Sequence, residues 1–79
     1  MTFQHFKNNY YNIVLPNKDS FIRNGQCLMI YLSEVWKKEY NRVSSLNYYN
    51  EDNIDCFYNN KLIDNTFNHL EKVWGNYPK

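Results

Sequence analysis

The length of the chain limits the folds that are open to it. A domain of 79 residues buries only about 60–65% of the surface of its unfolded chain, so its margin of stability is small. Chains this short often need a disulfide, a metal or a partner for stability. Here eight Tyr, five Phe and two Trp make up 19% of the chain, and each large ring buries roughly 150–250 Å². The aromatic content therefore predicts one compact domain over residues 1–79.

Charge, cysteine content and hydropathy bear on the class and location of the protein. The net charge is +1, whereas nucleic-acid-binding proteins usually have a strong basic bias. Cys27 and Cys56 are too few for a typical disulfide-rich secreted domain, so we expect free, buried thiols in a reducing compartment. Residues 1–15 lack the pattern of a signal peptide, and no stretch approaches the ~20 apolar residues of a membrane span. These features predict a soluble protein of the cytoplasm, without membrane contact.

The clearest secondary-structure pattern is a helix that begins at Asp19 or Ser20, because either residue can cap a first turn. Residues of one helix face then recur at spacings of three and four. They are Phe21, Gly25, Leu28, Leu32 and Val35, with Ile22, Met29 and Trp36 beside them. Glycine costs about 1 kcal/mol of helix propensity relative to alanine. Its place on the apolar face therefore indicates that another backbone or a ring approaches closely.

Two more helical segments follow. A bend is expected near Trp36–Lys38, and the helix then continues from Lys37 to Ser45 with Glu39 and its charged neighbours in water. Residues 47–53 are predicted to form a loop. The apolar face of a final helix consists of Ile63, Phe67, Leu70 and Trp74. Asn59 or Asn60 is its predicted cap, with Gly75 in a left-handed conformation after its end.

The N-terminal segment is ambiguous. Phe3, Phe6 and Tyr10 fit one helix face with Thr2 as the cap, but the run from Tyr10 to Leu15 has high β propensity. We expect a short helix followed by an extended segment. The predicted fold is mainly α, a small domain of three to four helices with the option of a short extended N-terminal segment.

No pattern in the sequence indicates a metal, a cofactor or a catalytic group. Cys27, Cys56, His5 and His69 lack the local spacing of a zinc site, and the acidic run after Asn50 lacks the ligand positions of a calcium loop. A thiolate is disfavoured for Cys27 in an apolar helix and for Cys56 beside Asp55. The sequence thus predicts a protein that is not an enzyme and needs no cofactor.

The surplus of rings is the feature that points to partner binding, since Tyr, Trp and Arg dominate the energetics of protein interfaces. The tyrosines outside the faces of the two clearest predicted helices are Tyr10, Tyr11, Tyr48, Tyr49 and Tyr58. They are candidate partner contacts, or else they cover the edge of the core with their hydroxyl groups in water. Lys37, Lys38 and Arg42 are further candidates, since cations near tyrosines are typical of RNA-binding faces.

Three short motifs lie between Phe21 and Trp74. They are Arg23-Asn24-Gly25-Gln26, Leu28-Met29-x-Tyr31-Leu32 and Cys56-Phe57-Tyr58. Together they form a pattern that resembles a loose group of small bacteriophage and mobile-element proteins, which carry R-x-G-Q-x-L, a Pro/Cys-Phe-Tyr turn and a terminal helix. Small phage proteins commonly inhibit host machinery by direct binding, anti-CRISPR proteins among them.

The resemblance implies an inhibitor that occludes a host protein, such as a CRISPR effector or another defence nuclease, in the host cytoplasm. A small RNA- or DNA-binding accessory protein and an antitoxin or immunity protein are the alternatives. The motif also has a structural interpretation. We expect the Phe57–Tyr58 turn to pack into the notch at Gly25, with Arg23 or Gln26 bonded to carbonyl groups of that turn.

Overall fold

The computed structural model of the protein describes residues 1–49 and 54–78, and for residues 46–49 it describes the backbone alone. This part of the chain forms four α-helices: α1 (Phe3–Asn9), α2 (Asn24–Val35), α3 (Lys37–Tyr49) and α4 (Ile63–Val73). A π-helical turn and two 3-10 turns complete it, and no strand is present in these two ranges. The predicted mainly-α fold is confirmed.

The N-terminal helix begins where the sequence predicts but does not lead into an extended segment. The Thr2 hydroxyl accepts a hydrogen bond from the His5 N–H at 3.0 Å, which caps α1. The chain then continues through a π-helical turn, Tyr10–Val14, instead of the predicted extended segment. Tyr10 explains the difference, because its ring is fully buried and its hydroxyl donates to the Asn24 carbonyl at 2.6 Å. This tertiary packing outweighs the local β propensity.

Helix α2 begins at Asn24 with Arg23 as its N-cap, so the predicted start at Asp19 or Ser20 is wrong. The Ile22 N–H instead donates to the Asp19 carbonyl in a turn, at 3.0 Å. The Gln26 side chain accepts from the Arg23 N–H at 3.4 Å, which is one half of a capping box and fixes the start of the helix.

The predicted bend after α2 is confirmed. Trp36 has φ −148° and ψ 74°, which separates α2 from α3. The Trp36 ring packs edge-on against Trp74 in the core, with 5.3 Å between the centroids. Helix α3 then extends to Tyr49, so residues 47–49 are helical and not part of a loop. Residues 50–53 lie outside the described part of the chain.

The final helix follows the predicted pattern except at its end. The Asn59 side chain caps the 3-10 turn Asn60–Leu62 by accepting from the Lys61 N–H at 3.0 Å, and this turn leads into α4. Phe67, Leu70 and Trp74 are buried as expected, and Ile63 is partly buried. Gly75 lies within the 3-10 turn Trp74–Asn76 and is not in the predicted left-handed conformation.

Aromatic rings fill the centre of the domain. Phe6 is fully buried, stacks on Tyr31 at 4.7 Å and lies 5.0 Å from the Trp74 ring. Phe67 and Tyr10 meet edge-on beside it, 5.7 Å apart. The rings therefore join α1, α2 and α4 in one core, which is the role that the composition predicts for them.

Candidate interaction surface

Two distant parts of the chain approach each other closely at Gly25, in the first turn of α2. The backbone of Cys56 lies directly against it. A Cβ atom at position 25 would overlap the carbonyl oxygen of Cys56 and lie 3.0 Å from its carbonyl carbon. Only glycine fits here without movement of the chain. The expected close approach of another backbone to Gly25 is confirmed, but that backbone belongs to Cys56 and not to the predicted Phe57–Tyr58 turn.

Hydrogen bonds hold this contact from both sides. The Gly25 N–H, one of the free donors in the first turn of α2, donates to the Asn60 side-chain oxygen at 2.8 Å. The Cys56 thiol donates to the Gly25 carbonyl at 3.3 Å. The side chain that bonds the two segments is therefore that of Asn60, and not that of Arg23 or Gln26 as predicted. We call Gly25, Cys56 and Asn60 the junction.

The turn after Cys56 is fixed as well. The Asp55 carboxylate accepts from the Phe57 N–H at 2.9 Å, and the Asn59 N–H donates to the Cys56 carbonyl at 3.1 Å. Thr66 in α4 donates from its hydroxyl to the Ile54 carbonyl at 2.6 Å, which anchors the start of the segment. Side chains of this turn are therefore presented from a rigid support.

Two large rings are exposed to solvent near the junction, Tyr58 in this turn and Phe21 in the segment before α2. Phe21 is 82% exposed and Tyr58 is 81% exposed. The Arg23 guanidinium lies over the Tyr58 ring at 5.4 Å, a cation–π contact. Phe21 is two residues from Arg23, so their Cα atoms lie within about 7 Å. We call Phe21, Arg23 and Tyr58 the aromatic edge.

Phe21 is a surface residue that the sequence does not reveal. The predicted helix start at Asp19 or Ser20 places Phe21 on the buried face, whereas the helix begins only at Asn24. A signal for the true start is present. Gln26 stands three residues after Arg23, the spacing at which a Gln side chain bonds back to the N-cap N–H. That spacing places Phe21 outside the helix.

The predicted tyrosine contacts divide into different environments. Tyr58 is exposed, and Tyr11 is partly exposed while its ring leans on Phe67 at 5.7 Å. Tyr10 is fully buried, which does not fit a contact with a partner. Tyr48 and Tyr49 lie in the last turn of α3 and not in the expected loop, and their side chains are outside what the structure describes.

The predicted basic residues lie on α3. Lys37 and Lys38 are exposed, and the Arg42 side chain is 61% exposed. Glu39 departs from the prediction, since its carboxylate is buried and does not face water. The Glu39 Oε2 is hydrogen-bonded to the His69 Nε2 of α4 at 2.7 Å, and the Glu39 Oε1 lies 3.9 Å from the Arg42 Nε. The pair of Glu39 and His69 thus links α3 to α4.

Both cysteines are buried and free, and they lack the features of a reactive thiol. Burial raises the pKa of the Cys27 thiol, and it raises the pKa of the Cys56 thiol to about 11. Across residues 1–49 and 54–78, no three His, Cys, Asp or Glu residues lie close enough together to hold a metal ion. Each helix in those ranges is too short or too polar to cross a membrane.

A groove lies between the π-helical turn and α2, with a volume of about 310 Å³. Val14, Ile22 and Ile30 give it an apolar lining, and Lys18 and Glu34 lie at it with opposite charges. Ile22 follows Phe21 in the chain, so the groove adjoins the aromatic edge.

Comparison with other proteins identifies no relative. No family model matches the chain, and no significant similarity is found to curated proteins or to solved structures. The likeness to small phage and mobile-element proteins therefore remains a resemblance of short motifs.

Proposed function

We propose that the protein acts without catalysis, by binding another protein through the aromatic edge. The observation that carries this proposal is the exposure of Phe21 and Tyr58, at 82% and 81%, whereas the other described rings except Tyr11 are buried or partly buried. Two rings exposed to water do not contribute their apolar surface to the core, although a domain of this size has little stability to spare. A partner that covers them would bury that surface.

The composition and the rigidity of the aromatic edge support this proposal. Tyr and Arg are enriched among the residues that dominate binding energy, and anchors of this kind act best when they are held in place before binding. Arg23 lies over Tyr58, while the junction fixes the turn that carries Tyr58. Little conformational entropy would be lost at these residues on binding.

The resemblance suggests the kind of partner. If the chain shares the role of the phage proteins that its motifs resemble, the partner is a host protein, such as a CRISPR effector or another defence nuclease. The protein would then act by covering a surface that the host protein needs. An antitoxin or immunity protein would use the same kind of surface against a toxin encoded beside it.

Affinity capture with a matched control tests the proposal. Wild-type protein, the Phe21→Ala/Tyr58→Ala double variant and Ile13→Ala are immobilised and exposed to a lysate of the host cell. Ile13 is also an exposed apolar residue but lies off the aromatic edge. We expect a protein that wild type and Ile13→Ala retain and the double variant loses, because truncation of an anchor costs about 2 kcal/mol or more, roughly thirty-fold in affinity.

The outcome is interpretable because the variants should stay folded. Truncating an exposed ring changes stability by only about 0.5 kcal/mol, which a thermal melt verifies. Equal retention by the double variant and by wild type would show that the aromatic edge is not the binding surface. Retention of no protein by any of the three would contradict the proposal as a whole.

A further inference from the structure

The exposed charge on the described part of α3 has one sign. Lys37 and Lys38 are exposed and Arg42 is largely so, whereas Glu39, the acidic residue of the first turn, is buried against His69. The Glu39 carboxylate is therefore largely withdrawn from solvent, and of the three cations it approaches Arg42, at 3.9 Å from the Nε. The surface of this helix is basic even though the chain as a whole has a net charge of only +1.

Two of these cations lie at the end of the helix that is electrostatically unfavourable for a positive charge. Lys37 and Lys38 are the first residues of α3, where the positive end of the helix dipole disfavours a positive charge. Residues that break a local rule without a compensating contact often mark a functional site. A negatively charged ligand would supply the compensation.

The surface around these cations has the shape and the donors for such a ligand. Lys38 and Arg42 line two adjoining depressions with volumes of about 220 and 380 Å³. Asn76 also lines the first depression, together with Trp36, Pro78 and the largely buried Glu39, and Asn41 and Ser45 line the second. Lys38 and Arg42 are one helical turn apart, a rise of about 6 Å. Two cations at this spacing can meet successive charges of an extended anion.

We propose that this face of α3 binds the sugar–phosphate backbone of a nucleic-acid strand. Lys and Arg bind phosphate oxygens as a point charge and as a planar fork of donors, and neighbouring amide and hydroxyl groups add neutral contacts. Tyr40 is partly buried in the core, so the described side chains of α3 offer no fully exposed ring for base stacking. Binding is therefore independent of base sequence and sensitive to salt. This site is separate from the aromatic edge and does not rest on the function proposed above.

Fluorescence anisotropy with labelled oligo(dT) tests the proposal. The test variant is Lys37→Gln/Lys38→Gln/Arg42→Gln, and the control variant Lys18→Gln/Lys61→Gln/Lys72→Gln has the same net charge. If three cations neutralise three phosphates, the wild-type affinity falls about 20-fold between about 50 and 200 mM salt. We expect the test variant to lose most of its affinity and of this salt dependence. The control variant should keep both.

Replacing Arg42 removes its contact with Glu39, which could change the structure of α3 as well as the surface charge. A second variant therefore retains Arg42. Lys37→Gln/Lys38→Gln leaves that contact intact and should lower the salt dependence to about one third of the wild-type slope, since each phosphate contact contributes equally. Phe21→Ala/Tyr58→Ala should bind oligo(dT) as wild type does. Absence of wild-type binding at the lower salt concentration would overturn the proposal. So would equal losses in the test and control variants, or α3-dependent binding to phosphatidylserine vesicles without binding to oligo(dT).

Discussion

Gly25 of α2 and the carbonyl group of Cys56 are in direct van der Waals contact, although they are far apart in sequence. The contact brings the start of α2 against the segment that leads into α4, and Asn60 closes it with a hydrogen bond to the Gly25 N–H. The Arg23–Gln26 and Cys56–Tyr58 motifs are thus two halves of one structural unit. Their first role is to hold the fold, and the aromatic edge depends on that role.

Gly25→Ala should destabilise the protein, although alanine is the better helix former. The new methyl group would overlap a backbone atom that no side-chain rotation can remove, and overpacking of this kind costs about 1–3 kcal/mol. Denaturant melts of Gly25→Ala measure the loss. Gly75→Ala is the control, since a Cβ there meets no atom within 4 Å. It should be neutral or stabilising by up to about 1 kcal/mol. Equal stability of the two variants would mean that the junction is loose in solution.

Tyr10 and Tyr31 allow a comparison between a tyrosine hydroxyl that forms a hydrogen bond and one that is buried without a hydrogen-bond partner in the described part of the chain. The Tyr10 hydroxyl donates to the Asn24 carbonyl at 2.6 Å, so Tyr10→Phe should cost about 1 kcal/mol. The Tyr31 hydroxyl is buried and has no hydrogen-bond partner among the described residues. Tyr31→Phe should therefore be neutral or stabilise by about 1 kcal/mol, because it removes an unpaired buried group. Urea melts of both variants give the comparison, and a clear loss for Tyr31→Phe would reveal a partner for its hydroxyl.

Features that depend on local patterns were predictable from the sequence. The buried faces of α2 and α4 follow from the spacing of apolar residues, and the contact at Gly25 follows from the presence of glycine on such a face. The break at Trp36 was expected because a straight helix would extend beyond so small a core. In the first two cases the signal is a local spacing of residues, and in the third it is the length of the helix relative to the core.

Features that depend on distant partners were not predictable. The run after Tyr10 becomes a π-helical turn because the Tyr10 hydroxyl meets Asn24, and Glu39 is buried because His69 lies opposite it on α4. Neither partner is visible in the local sequence. Of the candidate surface, the sequence predicts Tyr58 but not Phe21, because the apolar spacing places Phe21 on the buried face of a helix that in fact begins at Asn24.

Alkaline pH should destabilise the protein through groups that are buried in their neutral form. Burial raises the pKa of the Cys56 thiol from 9.0 to about 11 and also raises the pKa of the Tyr10 phenol. Above about pH 9 the unfolded chain loses the thiol proton while the folded chain retains it, so stability is complete below that pH and falls as the pH rises towards 11. The upward shift of the Cys56 pKa corresponds to about 2–3 kcal/mol of the free energy of unfolding, which is lost as the pH rises from about 9 to above 11.

Denaturant melts at about pH 8 and about pH 10 measure this loss, and Cys56→Ala provides the control. The variant is less stable at both pH values because it leaves a small cavity. Its further loss between the two pH values should nevertheless be smaller than that of wild type, since the titrating thiol is gone. Parallel losses in the variant and the wild type would show that Cys56 titrates normally in the folded protein.

The two contacts of Glu39 should differ in strength, because they differ in distance and in exposure. The carboxylate lies 2.7 Å from the His69 Nε2, where both side chains are largely buried, but 3.9 Å from the Nε of the exposed Arg42 side chain. Double-mutant cycles with Glu39→Gln measure each interaction separately. We expect a coupling energy of about 1–3 kcal/mol with His69→Ala, within the range for buried partners in contact. With Arg42→Ala the coupling should be about 0–1 kcal/mol, as for other exposed pairs. A stronger coupling to Arg42 than to His69 would show that Glu39 is held mainly by its own helix, and the link from α3 to α4 would then depend on the core alone.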